Sequence, residues 1–231
     1  MFDLSLYKTC GLVRTKDGLM LVNTKDEYIG PCIGRHGEWE PHVRQALHAH
    51  IKPGMTVMDI GANIGAHTIF MSRLVGREGT CLAFEPCKIN HDLLVTNLML
   101  NGCFNTKVYD EGVGDTTETR YIASKWSQYE SVENYGCIHL RSESSSPNDE
   151  VIKVVTIDSL NLQKLDVVKI DAEEMEEQVI KGMHETIKRC KPTIVVEIHP
   201  NEVPVMTDLF KTLNYKLTHI DNIDYVALPL L

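Results

Sequence analysis

The chain has 231 residues, 43% hydrophobic and 24% charged, a balance that suits one α/β domain over 1–231 with a sizeable core. Its formal net charge of -9, from 32 acidic and 23 basic residues, argues against nucleic acid as partner, because phosphate-backbone binding needs Lys and Arg to displace counterions. Seven cysteines, odd in number and without CxxC spacing, exclude a zinc knuckle and a full disulfide set and suit a reducing cytosol.

The opening MFDLSLYKTC has no basic start followed by an apolar run, so no signal peptide is expected, and no stretch approaches the ~20 apolar residues of a membrane span. A cytoplasmic location follows as an expectation. Residues 1–37 read as an N-terminal extension holding a small β-hairpin, CGLVRTKDGLMLV, turned at KDG. Residues 38–51 place Val43, Ala46, Leu47 and Ile51 at helical spacing, and KPG ends that helix.

From there the pattern alternates: strand 56–60, helix 65–75, strand 80–84, helix 88–100 and strand 105–110. Such alternation implies right-handed crossovers and a parallel sheet. Residues 124–150, polar and serine-rich, break the pattern and read as a long functional loop, on the acceptor side of any site. Beyond it come strand 151–156, strand 165–170, helix 174–189, strand 193–198, helix 202–213 and strands 215–220 and 223–229. The short link between the last two permits only an antiparallel pair.

The chemistry starts at VMDIGANIG. Ligands of open α/β sheets sit beyond the carboxyl ends of the strands. Gly61 and Gly65 allow a tight turn and close backbone approach, and the helix that starts near Gly65 offers free N–H groups. Asp59 can fix the loop or accept from a ligand ammonium. In CLAFEP, Glu85 ends the next strand, placed to accept from two ribose hydroxyls. A dinucleotide site wants G-x-G-x-x-G, whereas this chain has Asn63 and Ala66 where glycines would stand, so an adenosine ligand without phosphates fits better.

The stretches GEWEPHVRQAL, IKPGMTVMDIGANIGAHTIFMSRLVG and GTCLAFEPCKINHDLLVTNLMLNG, followed by VVTIDSL, LDVVKIDAEEMEEQVIKGM and PTIVVEIHP, together resemble the FkbM family of methyltransferases over roughly residues 35–200. The resemblance implies the class I methyltransferase fold, a Rossmann-like seven-stranded, mostly parallel sheet with an antiparallel last strand. It implies S-adenosyl-L-methionine as cofactor and methyl transfer to hydroxyl groups, often of sugars. By resemblance, Asp59, Gly61, Asn63 and Gly65 hold the methionyl part and Glu85 the ribose. Glu111, preferred over Asp110, lies near the adenine, and Glu38 or Glu40 of GEWE reaches the methionyl ammonium. Asn101 matches a family position and also suits a helix cap. The family glycine after Asp-x-Glu is replaced by Glu174, which either blocks a close approach or adds a carboxylate.

KIDAEE and VEIHP end neighbouring strands and bring Asp171, Glu173, Glu197 and His199 to one cleft. An unactivated hydroxyl needs a base, and a positioned one contributes on the order of 100- to 10,000-fold. Histidine is the residue type that titrates nearest neutrality, so His199, or else Asp171, is read as that base. The competing arrangement is a divalent ion, Mg or Mn, held by Asp171, Glu173 and Glu197; the sequence disfavours it, because the second carboxylate can cap the following helix instead. His67 reads as a helix-face residue. Trp126, Tyr129, Tyr135 and His139 of the long loop either stack on a carbohydrate acceptor or pin the loop to the core.

The reading is thus a glycan O-methyltransferase. Its rivals are an O-methyltransferase of a small natural product, a cofactor-binding module without catalysis, an NAD-dependent oxidoreductase and a nucleic-acid methyltransferase.

Overall fold

The computed structural model describes residues 9–126 and 132–230. Its first element is the expected antiparallel hairpin, β1 (Cys10–Thr15) and β2 (Gly18–Asn23), with Thr15 opposite Gly18. Helix α1 (Ile29–His36) follows; two glycines and a proline in IGPCIGRH hide it from a propensity reading. Helix α2 (Pro41–His50) starts three residues later than its periodicity suggests, because Pro41 suits the first helical position and Glu40 before it turns left-handed at φ 42°.

The alternating part follows as expected, with β3 (Thr56–Ile60), α3 (Ala66–Val75), β4 (Thr80–Phe84), α4 (Lys88–Leu100) and β5 (Thr106–Tyr109). Asn101 is the C-terminal cap of α4, and its side chain also donates to Leu19 O at 2.7 Å. A small sheet then appears that the sequence hid: β6 (Gly112–Val113), β7 (Glu118–Ile122) and β8 (Glu150–Val155), in the order β6-β8-β7. The strand expected at 151–156 therefore exists but lies outside the main sheet. The chain continues with β9 (Val167–Ile170), α5 (Glu176–Gly182), α6 (His184–Cys190), β10 (Thr193–Glu197), α7 (Val203–Thr212), β11 (Tyr215–Asp221) and β12 (Asp224–Pro229).

The single helix expected over 174–189 is two helices meeting at Met183. The cause is Asp158, in the TIDSL segment after β8, whose carboxylate accepts from the N–H groups of Glu185 (3.0 Å) and Thr186 (2.7 Å). It caps a new helix start in mid-run.

The main sheet runs β11-β12-β10-β9-β3-β4-β5, with β12 antiparallel to both neighbours and β3, β4, β5, β9 and β10 mutually parallel. This is the class I methyltransferase arrangement. Strands β3 and β9 are buried on both faces, which explains their near-continuous apolar runs. One face, with Met58, Ile60, Val168, Ile170 and Val196, packs under α5, α6 and α7. The other, with Val57, Val167 and Val195, packs under α2 and α3. Among the described residues no helix is long and apolar enough to cross a membrane.

The N-terminal hairpin is bolted to this frame by Asn97 of α4. Its buried amide accepts from Leu21 N–H (2.7 Å) and donates to the carbonyls of Leu21 (3.0 Å) and Ile64 (2.9 Å). One side chain thus joins the extension, α4 and the turn after β3.

Candidate active site

At the carboxyl end of β3 the chain turns through Gly61, Asn63 and Gly65, all left-handed, at φ 76°, 48° and 93°. Gly61 has no room for a side chain: a Cβ there would fall 1.7 Å from the carbonyl oxygen of Asp171. Gly65 is pressed against Leu94 and ends the turn by starting α3. Gly61 and Asn63 line a cavity of about 240 Å³ at this edge of the sheet. Neither Gly65 nor Asp59 lines it. Asp59 is fully buried beneath the turn, accepting from Thr68 Oγ1 at 2.6 Å and lying 3.4 Å from Lys169 Nζ. Both residues shape the turn from outside the cavity, which corrects the ligand contacts expected of them.

Glu85 lies where the sequence placed it, on the cavity wall after β4. Its carboxylate accepts from Asn63 N–H at 2.8 Å and Cys87 N–H at 2.9 Å. Burial pushes its pKa up to about 7, against the pull of those two N–H groups and of Lys169. Each oxygen keeps a lone pair for a ligand hydroxyl. Glu111 also lines the cavity, 3.3 Å from Lys153, while Asp110 does not.

The opposite wall carries Asp171, Glu173 and Glu197, brought together by the parallel pairing of β9 and β10. Asp171 lies 3.2 Å from Lys169 Nζ. Burial alone would raise its pKa, but the Lys169 charge and a hydrogen bond from Glu197 outweigh it and hold Asp171 below the usual carboxylate range. Burial and the neighbouring Asp171 push Glu197 up to about 9, and burial and Asp171 push Glu173 up to about 8. The hydrogen-bonded pair Asp171–Glu197 thus shares one proton near neutral pH, with Asp171 as its ionised member.

His199 stands apart. Its side chain is 39% exposed, 3.8 Å from Glu197 and outside the cavity lining. The chain turns after Ile198, where Glu202 N–H bonds the carbonyl of His199. Of the two bases the sequence offers, His199 and Asp171, only Asp171 lines the cavity. Glu38 is likewise displaced, drawn away by Lys16 and by Arg44 at 3.3 Å. Its neighbour Glu40 lines the cavity and pairs with buried His67 at 3.0 Å. His67 is therefore a cavity residue and not merely a helix-face one.

Glu173 and Glu174 both take left-handed backbone, φ 50° and 71°. The Glu174 side chain is 69% exposed and does not line the cavity, so it adds no carboxylate to the site.

Of the long loop, Tyr129 lies outside the described residues. Trp126 and Tyr135 pack edge to face at 5.4 Å and join the hydrophobic cluster under the hairpin. They pin the loop and are not free to stack on a ligand. The Tyr135 peptide is gripped on both sides: its N–H donates to Asp26 (3.2 Å), and its carbonyl accepts from Asn63 (3.3 Å) and Asn90 (3.2 Å). His139 reaches Glu173 O at 3.3 Å. The loop therefore covers the turn after β3 as well as the carboxylate wall. Tyr28 of the extension and Trp39 just after it line the cavity.

Six carboxylates line the cavity, those of Glu40, Glu85, Glu111, Asp171, Glu173 and Glu197, against one lysine and no arginine among the described residues. A pyrophosphate finds there no arginine among the described residues and a single lysine already paired with Asp171, whereas a ligand carrying sulfonium and ammonium charges and ribose hydroxyls meets the ionised Asp171 and hydrogen-bond acceptors. S-Adenosylmethionine fits this donor set and NAD does not. Among the described residues no three ligating side chains stand together to hold a metal ion.

The Methyltransferase FkbM domain family matches residues 59–217. The chain belongs to the FkbM methyltransferase family. Methyltransferase 1 of Beauveria bassiana is 24% identical over 159 residues, 62% of this chain and 64% of that protein. The crystal structure of methyltransferase FkbM from Methylobacillus flagellatus shares 16% identity and a TM-score of 0.55, over 83% of this chain and 56% of that one. A SAM-dependent O-methyltransferase from Thermotoga maritima shares 12% identity and a TM-score of 0.51, over 96% and 78%. The FkbM chain thus spans less than two thirds of the first two relatives, and the structural likenesses speak for the fold.

Proposed function

We propose that this FkbM-family protein is an S-adenosylmethionine-dependent O-methyltransferase acting on a sugar hydroxyl of a glycan or glycoconjugate. The observation that carries the reading is the Asp171–Glu197 pair, a proton-sharing base on the same cavity as the ribose-type acceptor Glu85. When bound, the cofactor supplies an electrophilic methyl group on a sulfonium. Glu85 holds the ribose hydroxyls, and the turn through Gly61 and Asn63 with Glu40 and His67 holds the methionyl end. Asp171 orients the acceptor hydroxyl and takes its proton. Glu197, protonated, steadies the Asp171 carboxylate. Tyr28 and Trp39 offer faces for a sugar ring.

A second reading, a small hydroxylated natural product as acceptor, is favoured by the inward packing of Trp126 and Tyr135, which removes two of the aromatics expected to meet a glycan.

The test is mass spectrometry after incubation with isotope-labelled S-adenosylmethionine and a panel of oligosaccharides, small polyols and RNA. One labelled methyl on a carbohydrate oxygen is expected. Label confined to RNA, or to nitrogen, contradicts the proposal.

A further inference from the structure

Lys169 is an anomaly in its surroundings. It sits third in β9, VVKI, a strand buried along its whole length, and is itself 4% exposed. A lysine there costs desolvation that an apolar residue would avoid. Its register partner on β3 is Asp59, so the two side chains share one face of the sheet. The buried Lys169 ammonium has three N–H donors to satisfy and takes further partners beyond Asp59. It has two, both at the ligand edge: it donates to the carbonyl of Gly61 at 2.9 Å and pairs with Asp171 at 3.2 Å, against 3.4 Å to Asp59. Two of the ammonium's N–H groups are thus hydrogen-bonded to the turn after β3 and to the turn after β9, while Asp59 lies at ion-pair distance with its Oδ1 in no hydrogen bond among the described residues.

We infer that Lys169 is a positioning residue that joins the turn of the cofactor side to the carboxylates of the acceptor side, holding Gly61 by its carbonyl and Asp171 by its carboxylate. This inference rests on the proposed reading of the site. The two turns already touch through backbone, since Gly61 leaves no Cβ space before the Asp171 carbonyl. The ammonium adds a charged tie across the same seam. The other charges that act on the Lys169–Asp171 pair are Asp59 from β3, Glu40 ahead of α2, His67 from α3 and Glu197 from β10. Of these, only His67 is basic, and it is engaged with Glu40. Lys169 is therefore the cation in contact with Asp171 that, together with the hydrogen bond from Glu197, keeps Asp171 the ionised member of its pair.

The test compares the unaltered protein with Asp59→Asn and with the double variant Asp59→Asn/Lys169→Met, which removes the core ion pair without stranding a buried Asp59 charge. Two quantities are read: the dissociation constant of S-adenosylhomocysteine by calorimetry, and the titration of Asp171 by NMR of labelled aspartate carboxyls, assigned with Asp171→Asn. Relative to Asp59→Asn, the double variant is expected to bind at least tenfold more weakly, and its Asp171 to titrate at markedly higher pH. Wild-type behaviour of the double variant in either readout overturns the inference, because the joining role needs both. If the double variant does not fold, Lys169→Arg decides: the charge stays while the compact ammonium is lost, binding weakens at least fivefold, and unchanged affinity overturns the inference. Failure of the unaltered protein to bind S-adenosylhomocysteine would overturn the cofactor reading instead, which keeps the two failures apart.

Discussion

Gly61 and Asp171 are packed backbone against backbone: a Cβ on Gly61 would stand 1.7 Å from the carbonyl oxygen of Asp171. The turn that meets the cofactor and the turn that carries the base are therefore one seam. Gly61→Ala must part that seam and also strain a residue held at φ 76°. The expected cost is roughly 2–4 kcal/mol of stability, with loss of S-adenosylhomocysteine binding. Denaturant unfolding and calorimetry check it; a variant with unchanged midpoint and affinity would show that the two turns are free to separate.

Glu85 holds the turn by accepting from Asn63 and Cys87 and still offers lone pairs to the cavity. Glu85→Ala removes charge-assisted hydrogen bonds worth ~1.5–3 kcal/mol each. S-Adenosylhomocysteine should then bind roughly 10- to 100-fold more weakly. Equal affinity would place the ribose elsewhere.

Glu174 occupies left-handed backbone at φ 71° with its side chain in solvent. Glycine relieves that conformation without removing a cavity contact. Glu174→Gly should raise stability by about 1 kcal/mol, a rise in Tm of roughly 2–4 °C for a domain of this size. A lower Tm would mean that the Glu174 carboxylate, 4.0 Å from His139, does more for the loop than the strain costs.

The raised pKa of Glu197 sets a pH dependence. The folded state holds its proton up to about 9, against an ordinary value of 4.5, so the contribution is fully present below the ordinary value and is lost as pH rises through the folded one. The Tm of the protein should fall relative to that of Glu197→Gln between those two pH values. Parallel melting curves across that range would remove Glu197 from the proton-sharing pair.

Much of this site is legible in the chain, because parallel strands align their carboxyl ends. VMDIGANIG, CLAFEP, KIDAEE and VEIHP each carry the end of a strand, so Gly61, Glu85, Asp171, Glu173 and Glu197 reach one edge of the sheet. What is hidden depends on partners far along the chain or on local phase. Glu38 and Glu40 differ by two residues, and the left-handed backbone at Glu40 decides which faces the cavity. Asp59 is withdrawn by Lys169, 110 residues later. His199 lies beyond the point where β10 stops and the chain turns away. Lys169 did leave a signal, a single charge inside an otherwise apolar strand. Of the small sheet β8 is legible, at 151–156, whereas β6 and β7 left no signal, since GV and ETRYI are too short or too polar to stand out.

The most direct measurement of the whole account is calorimetric titration of the protein with S-adenosylhomocysteine and, separately, with NAD. The acid-lined cavity with Glu85 at its wall predicts saturable one-site binding of S-adenosylhomocysteine, weakened by Glu85→Ala, and no binding of NAD. Binding of NAD with none of S-adenosylhomocysteine would contradict it.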